Sequence, residues 1–531
     1  MKKIADFFFN TTIYKMVCIC AMILTPSVLL WTFPQLVSVV LLLWGATILV
    51  KDLFTNRNLS KQPGSLFLVL FCLGYVITLV LYAENDLIST LNVYFWAIVE
   101  FFLLFAIERQ KAHTVDTLAQ ELYKINIAVS VVALLSGIAS LVIFLTKTSV
   151  IMPDPEGLNN FWSLGIINGR NSGIFNNAIP CGNAMFVGCA AALYNLIMGK
   201  KTNPAGKLFY GLTFLVSLLT IMTTLTRTFV YGVYAFVFVA GFYGAYQQWM
   251  QKGKTAKAVL LGFVVAIAVT GACAGIAEIG KQAMVKAVEN VPMNNIIMNM
   301  EGFSNPEATE PSPSGPDATA PDSTKPPLSQ EEQEQLKDYL NHKFGLDGNV
   351  DLDREELDRL PNFLYPRDEI WKVALQVIPH SPVFGFTSGN RESTSVAFGT
   401  TQYRITKWPT GIPTYHNAYF DIAVSAGLLG LVLMLAFLAL QIIRTLRTLF
   451  TRRLAVSQAQ TRWAIGSAVG YLATHVLVSC MFLGVLCFNN VSVCIYFWVL
   501  LGYVSGINDI ALGDRNKPDF LERLLNTMKR K

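Results

Sequence analysis

Apolar residues along this 531-residue chain come in runs of spanning length broken by short polar connections, rather than at the intervals of a soluble core. A helix needs about 20 mostly apolar residues, each rising about 1.5 Å, to cross the hydrocarbon of a bilayer. Twelve stretches meet that requirement to within a few residues: 13–33, 34–50, 64–82, 89–108, 124–146, 172–198, 208–225, 229–248, 258–279, 417–443, 463–485 and 487–507. The division of the last two around Asn489-Asn490 is left open. The pattern predicts an all-α polytopic membrane protein. Met1-Lys2-Lys3 runs into a long first helix without a small-residue cleavage signature, so a retained helix is expected rather than a removed signal peptide.

Lys and Arg set the expected orientation, because basic loops stay on the cytoplasmic side. Alternate connections carry Lys51, Arg57 and Lys61; Arg109, Lys111 and Lys124; Lys200, Lys201 and Lys207; Lys252, Lys254 and Lys257; and Arg444, Arg447, Arg452, Arg453 and Arg462. The tail after residue 508 is basic as well, and the intervening short loops are nearly bare. Both termini are therefore expected in the cytoplasm. This parity divides the chain into nine helices over 1–279, an extracytoplasmic loop over 280–416, three helices over 417–507 and a basic cytoplasmic tail over 508–531. The loop carries 12 basic and 19 acidic residues. Within it, residues 302–336 hold seven prolines and few apolar side chains, a composition unable to fold alone. A helical pattern returns from 335 to 360, and aromatic, Gly- and Pro-rich stretches over 361–416 suggest an ordered cap.

Composition excludes other classes. Charged residues make up only 14% of the chain against 53% hydrophobic, too few for a secreted or cytosolic globular enzyme. The net charge of +6 is split into loop clusters, which does not suit nucleic acid. All nine cysteines lie in or beside apolar runs, which argues against a disulfide framework or a thiolate metal site. No GxxxxGK[ST], HExxH or paired CxxC occurs, so an ATP-driven pump or a zinc protease lacks support. Asp347 to Asp358 has the alternating oxygens of a calcium loop, but Leu352 stands at the turn position that wants Gly, and Asp358 replaces the bidentate Glu.

Charges at spanning helices are expensive and usually face water or a partner. Arg227, in TTLTRTFVYG, is the only break between two apolar runs, with hydroxyls at Thr223, Thr224, Thr226 and Thr228 around it. It reads either as a snorkelling interfacial arginine or as an anion clamp. Arg170 is expected to open a polar, close-packed helix with the outer half NGRNSGIFNNAIPCGN. Arg367 begins an amphipathic helix with Ile370, Trp371, Ala374, Leu375 and Ile378 at helical spacing, and taken alone it reads first as paired to Asp368, Glu369 or another loop carboxylate. Of five histidines, His113 and His342 sit in polar segments, His380 precedes a turn, and His475 reads as an interhelical hydrogen bonder. His416 stands where the outer loop re-enters the membrane, placed to act as a base or to cap the helix.

These pieces together resemble the superfamily of O-antigen ligases and Wzy-type O-antigen polymerases. R-N-S-G-I-F-N-N from Arg170 to Asn177 is similar to its Arg-x-x-Gly-x-Phe-x-Asn stretch, and T-R-T around Arg227 to its Ser/Thr-Arg-Gly element. R-D-E-I-W-K-V-A-L-Q-V-I-P-H-S-P-V-F-G from Arg367 to Gly385 resembles its Arg…Trp…Ala…Pro-x-x-Gly segment. H-N-A-Y-F-D-I-A-V-S-A-G-L-L-G from His416 to Gly430 resembles its His-Asn…Gly-Leu-x-Gly signature, the most specific match. The likeness covers about residues 165–440. Thr228 and Phe229 depart from it, replacing the small residues usual after the arginine, and the acidic insert lengthens the outer loop.

The resemblance implies a GT-C-like membrane glycosyltransferase of the bacterial cytoplasmic membrane with no cofactor and no metal. Its donor would be a glycan on undecaprenyl diphosphate and its acceptor a hydroxyl of a glycan or lipid-linked molecule, with inversion at the anomeric carbon. His416 would be the catalytic base, and Arg227, Arg367 and then Arg170 would bind the diphosphate. The rival readings are a lipid-linked oligosaccharide flippase or other twelve-helix transporter, and a receptor or assembly scaffold. Polymerase against ligase stays open, with a slight lean to polymerase or generic polysaccharide ligase.

Overall fold

A computed structural model describes residues 2–30, 33–55, 62–82, 87–107, 113–152, 162–199, 203–250, 255–297, 367–450 and 459–514. The first half holds α1 (Lys2–Phe8), α2 (Thr11–Leu24), α3 (Pro34–Thr55), α4 (Ser65–Tyr82), α5 (Leu87–Val99, continuing as a π-helical turn Glu100–Leu104) and α6 (Val115–Leu145). Strands β1 (Thr148–Met152), β2 (Trp162–Ile167) and β3 (Arg170–Gly173) follow, then α7 (Ala178–Met198), α8 (Pro204–Thr224), α9 (Arg227–Met250), α10 (Thr255–Val288) and β4 (Asn294–Ile297). Three short helices come next: α11 (Arg367–Val377), α12 (Arg391–Phe398) and α13 (Gln402–Lys407). The chain then enters α14 (Ala418–Phe450), α15 (Ala459–Thr474, running through a π-helical turn His475–Ser479 to Phe482) and α16 (Ser492–Leu512).

Among the described residues, eleven helices are long and apolar enough to cross a membrane, and Thr11–Leu24 is a shorter apolar one. The chain is an all-α polytopic membrane protein carrying one small sheet. The expected first span, 13–33, stops at Leu24 because Pro26 cannot continue the helical ladder. The chain there pairs instead with the approach to α7: Val28 N donates to Ile174 O (2.8 Å) and Asn176 N to Pro26 O (3.0 Å). α6 begins nine residues before the expected 124, because Thr114 and Thr117 close a reciprocal capping box. Asn489 and Asn490 do mark the last division, in the non-helical stretch between Phe482 and Ser492.

The innermost helices are α7 and α16, buried almost all round, whereas α3 and α10 leave most of their apolar surface exposed. Small residues let α7 pack closely. A Cβ at Gly182 would meet the Phe229 ring at 2.3 Å. The bulk at Phe229 that departs from the resembled pattern is thus accommodated by a glycine on the facing helix.

The polar stretch at Arg170 is not the start of a helix. It is a hairpin in a sheet of order β3-β2-β1-β4, antiparallel except for the β1–β4 pair. Ile167 faces Arg170 across Asn168-Gly169, both with positive φ (50° and 69°). Asn-Gly favours this two-residue turn, and its twist matches that of the flanking strands. The helix begins only at Ala178, where Asn177 Oδ1 accepts from Ile179 N (3.0 Å).

Of the segment 361–416 expected as a cap, residues 367–416 are among those described, and 361–366 lie outside them. Its core joins Ile370, Val373, Ala374 and Val377 of α11 to Phe386, Ile412, Tyr415 and Val424. Leu375, expected on the buried face, is exposed, and Val373 and Val377 complete the stripe instead. The Pro-rich insert 302–336, the helical pattern over 335–360 and the calcium-like pattern Asp347–Asp358 lie outside the described residues.

Candidate active site

Arg227 is the first residue of α9 and follows a tight turn from α8, in which Leu225 takes a left-handed φ of 53°. Such a conformation in a branched, non-glycine residue is costly and must be held by its surroundings. The threonines seen in the sequence supply the hold. Thr226 N donates to Thr224 Oγ1 (3.3 Å), and the hairpin reaches across the turn: Arg170 Nε donates to Thr224 O (3.0 Å) and Nη2 to Thr226 Oγ1 (2.8 Å). Asn171 Nδ2 adds a bond to Thr223 Oγ1 (2.8 Å). Arg170 therefore braces the start of α9 with two of its donors. That helix start offers backbone N–H groups and the positive end of its dipole beside the Arg227 side chain.

Arg367 opens α11 on the cap. Its guanidinium carbon lies 5.2 Å from the centre of the Phe482 ring, at the end of α15. One turn on, Trp371 packs near Phe482 (6.5 Å) and Phe420 (6.0 Å), and its Nε1 donates to Tyr415 O (3.1 Å). Burial, and then the charge of Arg227, lower the pKa of Arg367 from its ordinary value. Two guanidiniums from separate elements thus lie within electrostatic reach of each other, an arrangement that an anion between them would relieve.

His416 occupies the turn entering α14 with a left-handed φ of 49°. Burial, followed by the charge of Arg367, lowers its pKa below that of a free imidazole, opposed by Asp421. The ring is accordingly neutral near pH 7 and able to accept a proton. Its turn is fixed from several sides. Asp421 Oδ1 accepts from Tyr415 N (2.9 Å) and lies 3.2 Å from Arg391 Nη1 of α12, while Oδ2 accepts from Thr414 Oγ1 (3.0 Å). His416 N donates to Thr414 Oγ1 (3.3 Å). Asn417 caps α14 by accepting from Tyr419 N (3.0 Å) and Phe420 N (3.2 Å), and its Nδ2 donates to Met481 O (3.2 Å).

A backbone joint sets the spacing between Arg367 and His416. α14 breaks at Gly427 (φ 70°, ψ 179°), and the segment after α11 inserts its own backbone there. Phe386 N donates to Val424 O (2.8 Å), Thr387 N to Ser425 O (3.0 Å), and Leu428 N to Pro382 O (2.8 Å). A Cβ at Gly385 would meet Gly427 N at 2.5 Å, and one at Gly427 would meet Val383 O at 2.1 Å. Both glycines have positive φ, so only glycine satisfies the conformation and the approach together. α4 clasps the same segment through Tyr75 OH to Ser388 Oγ (2.9 Å) and Asn390 Nδ2 to Tyr82 O (2.7 Å).

Arg227, Arg367 and His416 are thus linked in sequence by charge, and Arg170 joins them through the α8–α9 turn. The remaining described histidines lie elsewhere: His113 is 3.7 Å from Glu121, His380 stacks on Phe398, and His475 Nε2 bonds Val485 O (2.8 Å). Asp421 and Arg391 join the site only in the fold. A carboxylate one turn into a spanning helix, five residues after His416, was a readable signal for the first; Arg391 in a polar loop offered none. Among the described residues, no three His, Cys, Asp or Glu side chains group as metal ligands.

Residues 212–435, less than half of the chain, match the O-antigen ligase family. The match spans Arg227, Arg367, His416 and the Gly385–Gly427 joint, and it leaves Arg170 outside. It agrees with the superfamily resemblance carried by the four motifs and supports a membrane enzyme that ligates or polymerises glycans. No curated protein matches the chain.

Proposed function

We propose that this O-antigen-ligase-type membrane protein moves a glycan from an undecaprenyl-diphosphate donor to an acceptor hydroxyl on the outer face of the bacterial cytoplasmic membrane. What supports this reading is that Arg227 acts by its charge on Arg367, and Arg367 on His416, although the three side chains stand on separate elements. With both termini in the cytoplasm, as the Lys and Arg pattern expects, the cap and these three residues lie outside.

The acceptor oxygen attacks the anomeric carbon and forms the new glycosidic bond, while the bond from that carbon to the phosphate oxygen breaks and the diphosphate leaves with the electron pair. His416 takes the acceptor's proton. Negative charge grows on the leaving group as the bond breaks, so guanidiniums fixed in advance stabilise the transition state more than the bound donor. Arg227 and Arg367 hold the diphosphate, and Arg170 contributes through its grip on the α8–α9 turn. A single displacement inverts the anomeric configuration and calls for no metal.

Replacing His416 or Arg367 by alanine should abolish the polysaccharide or ligated product in cells while protein level and membrane insertion stay at wild type. Normal product from either variant contradicts the reading.

A further inference from the structure

The carboxylate of Asp421 is almost fully buried, yet it sits at the first turn of a membrane-spanning helix. Two of its partners belong to the His416 turn, the backbone N–H of Tyr415 and the hydroxyl of Thr414, and the third is the guanidinium of Arg391. The hydroxyl of Thr414 in turn receives the backbone N–H of His416. Space for the carboxylate comes from a third element, since a Cβ at Gly484 would meet Asp421 Oδ2 at 2.2 Å and Thr414 Oγ1 at 3.0 Å. Removing one member of a buried ion pair leaves an uncompensated charge, so such a pair is expensive to keep unless it does something for its surroundings.

We propose that the Asp421–Arg391 pair is a positioning device for His416, holding the strained Thr414–Asn417 turn and setting the charge around the imidazole. It rests on the reading of His416 as the base. The charged groups acting on the imidazole are Arg367 from α11 and Asp421 from α14. Behind them stand Arg227 of α9, which acts on Arg367, and Arg391 of α12, which faces Asp421. The signs are opposed. The cation beside the ring disfavours the imidazolium and the carboxylate favours it, while Arg391 tempers the carboxylate. The two members of the pair should therefore move His416 in opposite directions when neutralised, which a mere loss of packing would not do, and transfer should fall with both.

The experiment is an NMR titration of histidine-labelled full-length protein in detergent, with the His416 signal assigned by its loss in His416→Gln, run beside glycan transfer from lipid-linked oligosaccharide. In Asp421→Asn the titration midpoint moves to lower pH, and in Arg391→Gln it moves to higher pH. Transfer falls about ten- to a hundred-fold in both, the scale expected when a catalytic group is displaced. If Asp421→Asn fails to fold, Arg391→Gln carries the test alone. Unchanged midpoints, or transfer within about two-fold of wild type, overturn the proposal. The titration reads out whether or not the protein transfers glycan. Retention of full transfer by His416→Ala sinks the base reading itself, so the two failures are distinguishable.

Discussion

The two sides of the candidate site are held by different kinds of bonding. Arg227 stands on a turn fixed by side chains: three threonines, Arg170 and Asn171, all drawn from residues 170–226. The spacing of Arg367 and His416 is set instead by backbone, through the insertion of the 382–387 segment into the break in α14 at Gly427, with the side chains of Thr414, Asn417 and Asp421 holding the His416 turn locally. A side-chain brace can lose one bond and keep its shape, each bond contributing about 1 kcal/mol. A backbone joint between two glycines tolerates no added atom. The glycine joint should therefore respond to substitution all or none, and the α8–α9 side by degrees.

The largest effects are expected at His416 and Arg367 themselves. Loss of a general base typically costs about 10²- to 10⁴-fold, so His416→Ala in a purified transfer assay should fall to background, with a folded protein by thermal denaturation. Next comes the joint. Gly427→Ala should eliminate transfer and loosen the cap, read as faster proteolysis at 367–416, because the new Cβ meets Val383 O at 2.1 Å. Strain at such a φ alone costs on the order of 1–3 kcal/mol. A Gly427→Ala protein with wild-type activity would break the contrast between the two sides.

Arg227→Lys comes third. A point charge cannot reproduce a two-pronged guanidinium at a diphosphate, so transfer should drop by roughly ten-fold or more while cap proteolysis stays unchanged. The smallest effect belongs to Thr226→Val, which removes the acceptor for Arg170 Nη2. A few-fold loss is expected there, about the value of one hydrogen bond. The pH profile sharpens the cap side. Since burial and Arg367 lower the pKa of His416, activity should hold as pH falls to that of a free imidazole and decline only below it, as the ring becomes protonated. A decline beginning above that point would contradict the assigned environment.

Hydropathy alone revealed nearly every spanning helix, because lipid as solvent permits few alternatives to long apolar runs. What it missed depends on local turns and distant pairing. Asn168-Gly169 carries a hairpin signal that the apolar periodicity overrides, and Arg170 lies on a strand rather than at the expected helix start. Pro26 marked the early end of α2, yet the apolar run continued past it. Gly427 falls inside an apolar run of spanning length, and only the approach of Val383 explains it. Asp421 was visible within the His416 motif, but its partner Arg391 lies thirty residues earlier and is joined to it only by the fold of the cap.

The central claim is that Arg227, Arg367 and His416 form one reacting site rather than part of a passage. Purified protein in detergent, where no second compartment exists, would be given a lipid-linked oligosaccharide donor and acceptor, and the products separated by mass. The account predicts a new glycosidic bond and released undecaprenyl diphosphate from wild type, and neither from His416→Ala. Movement of intact donor across reconstituted bilayers, with no glycosidic bond formed by wild type in either setting, would contradict it.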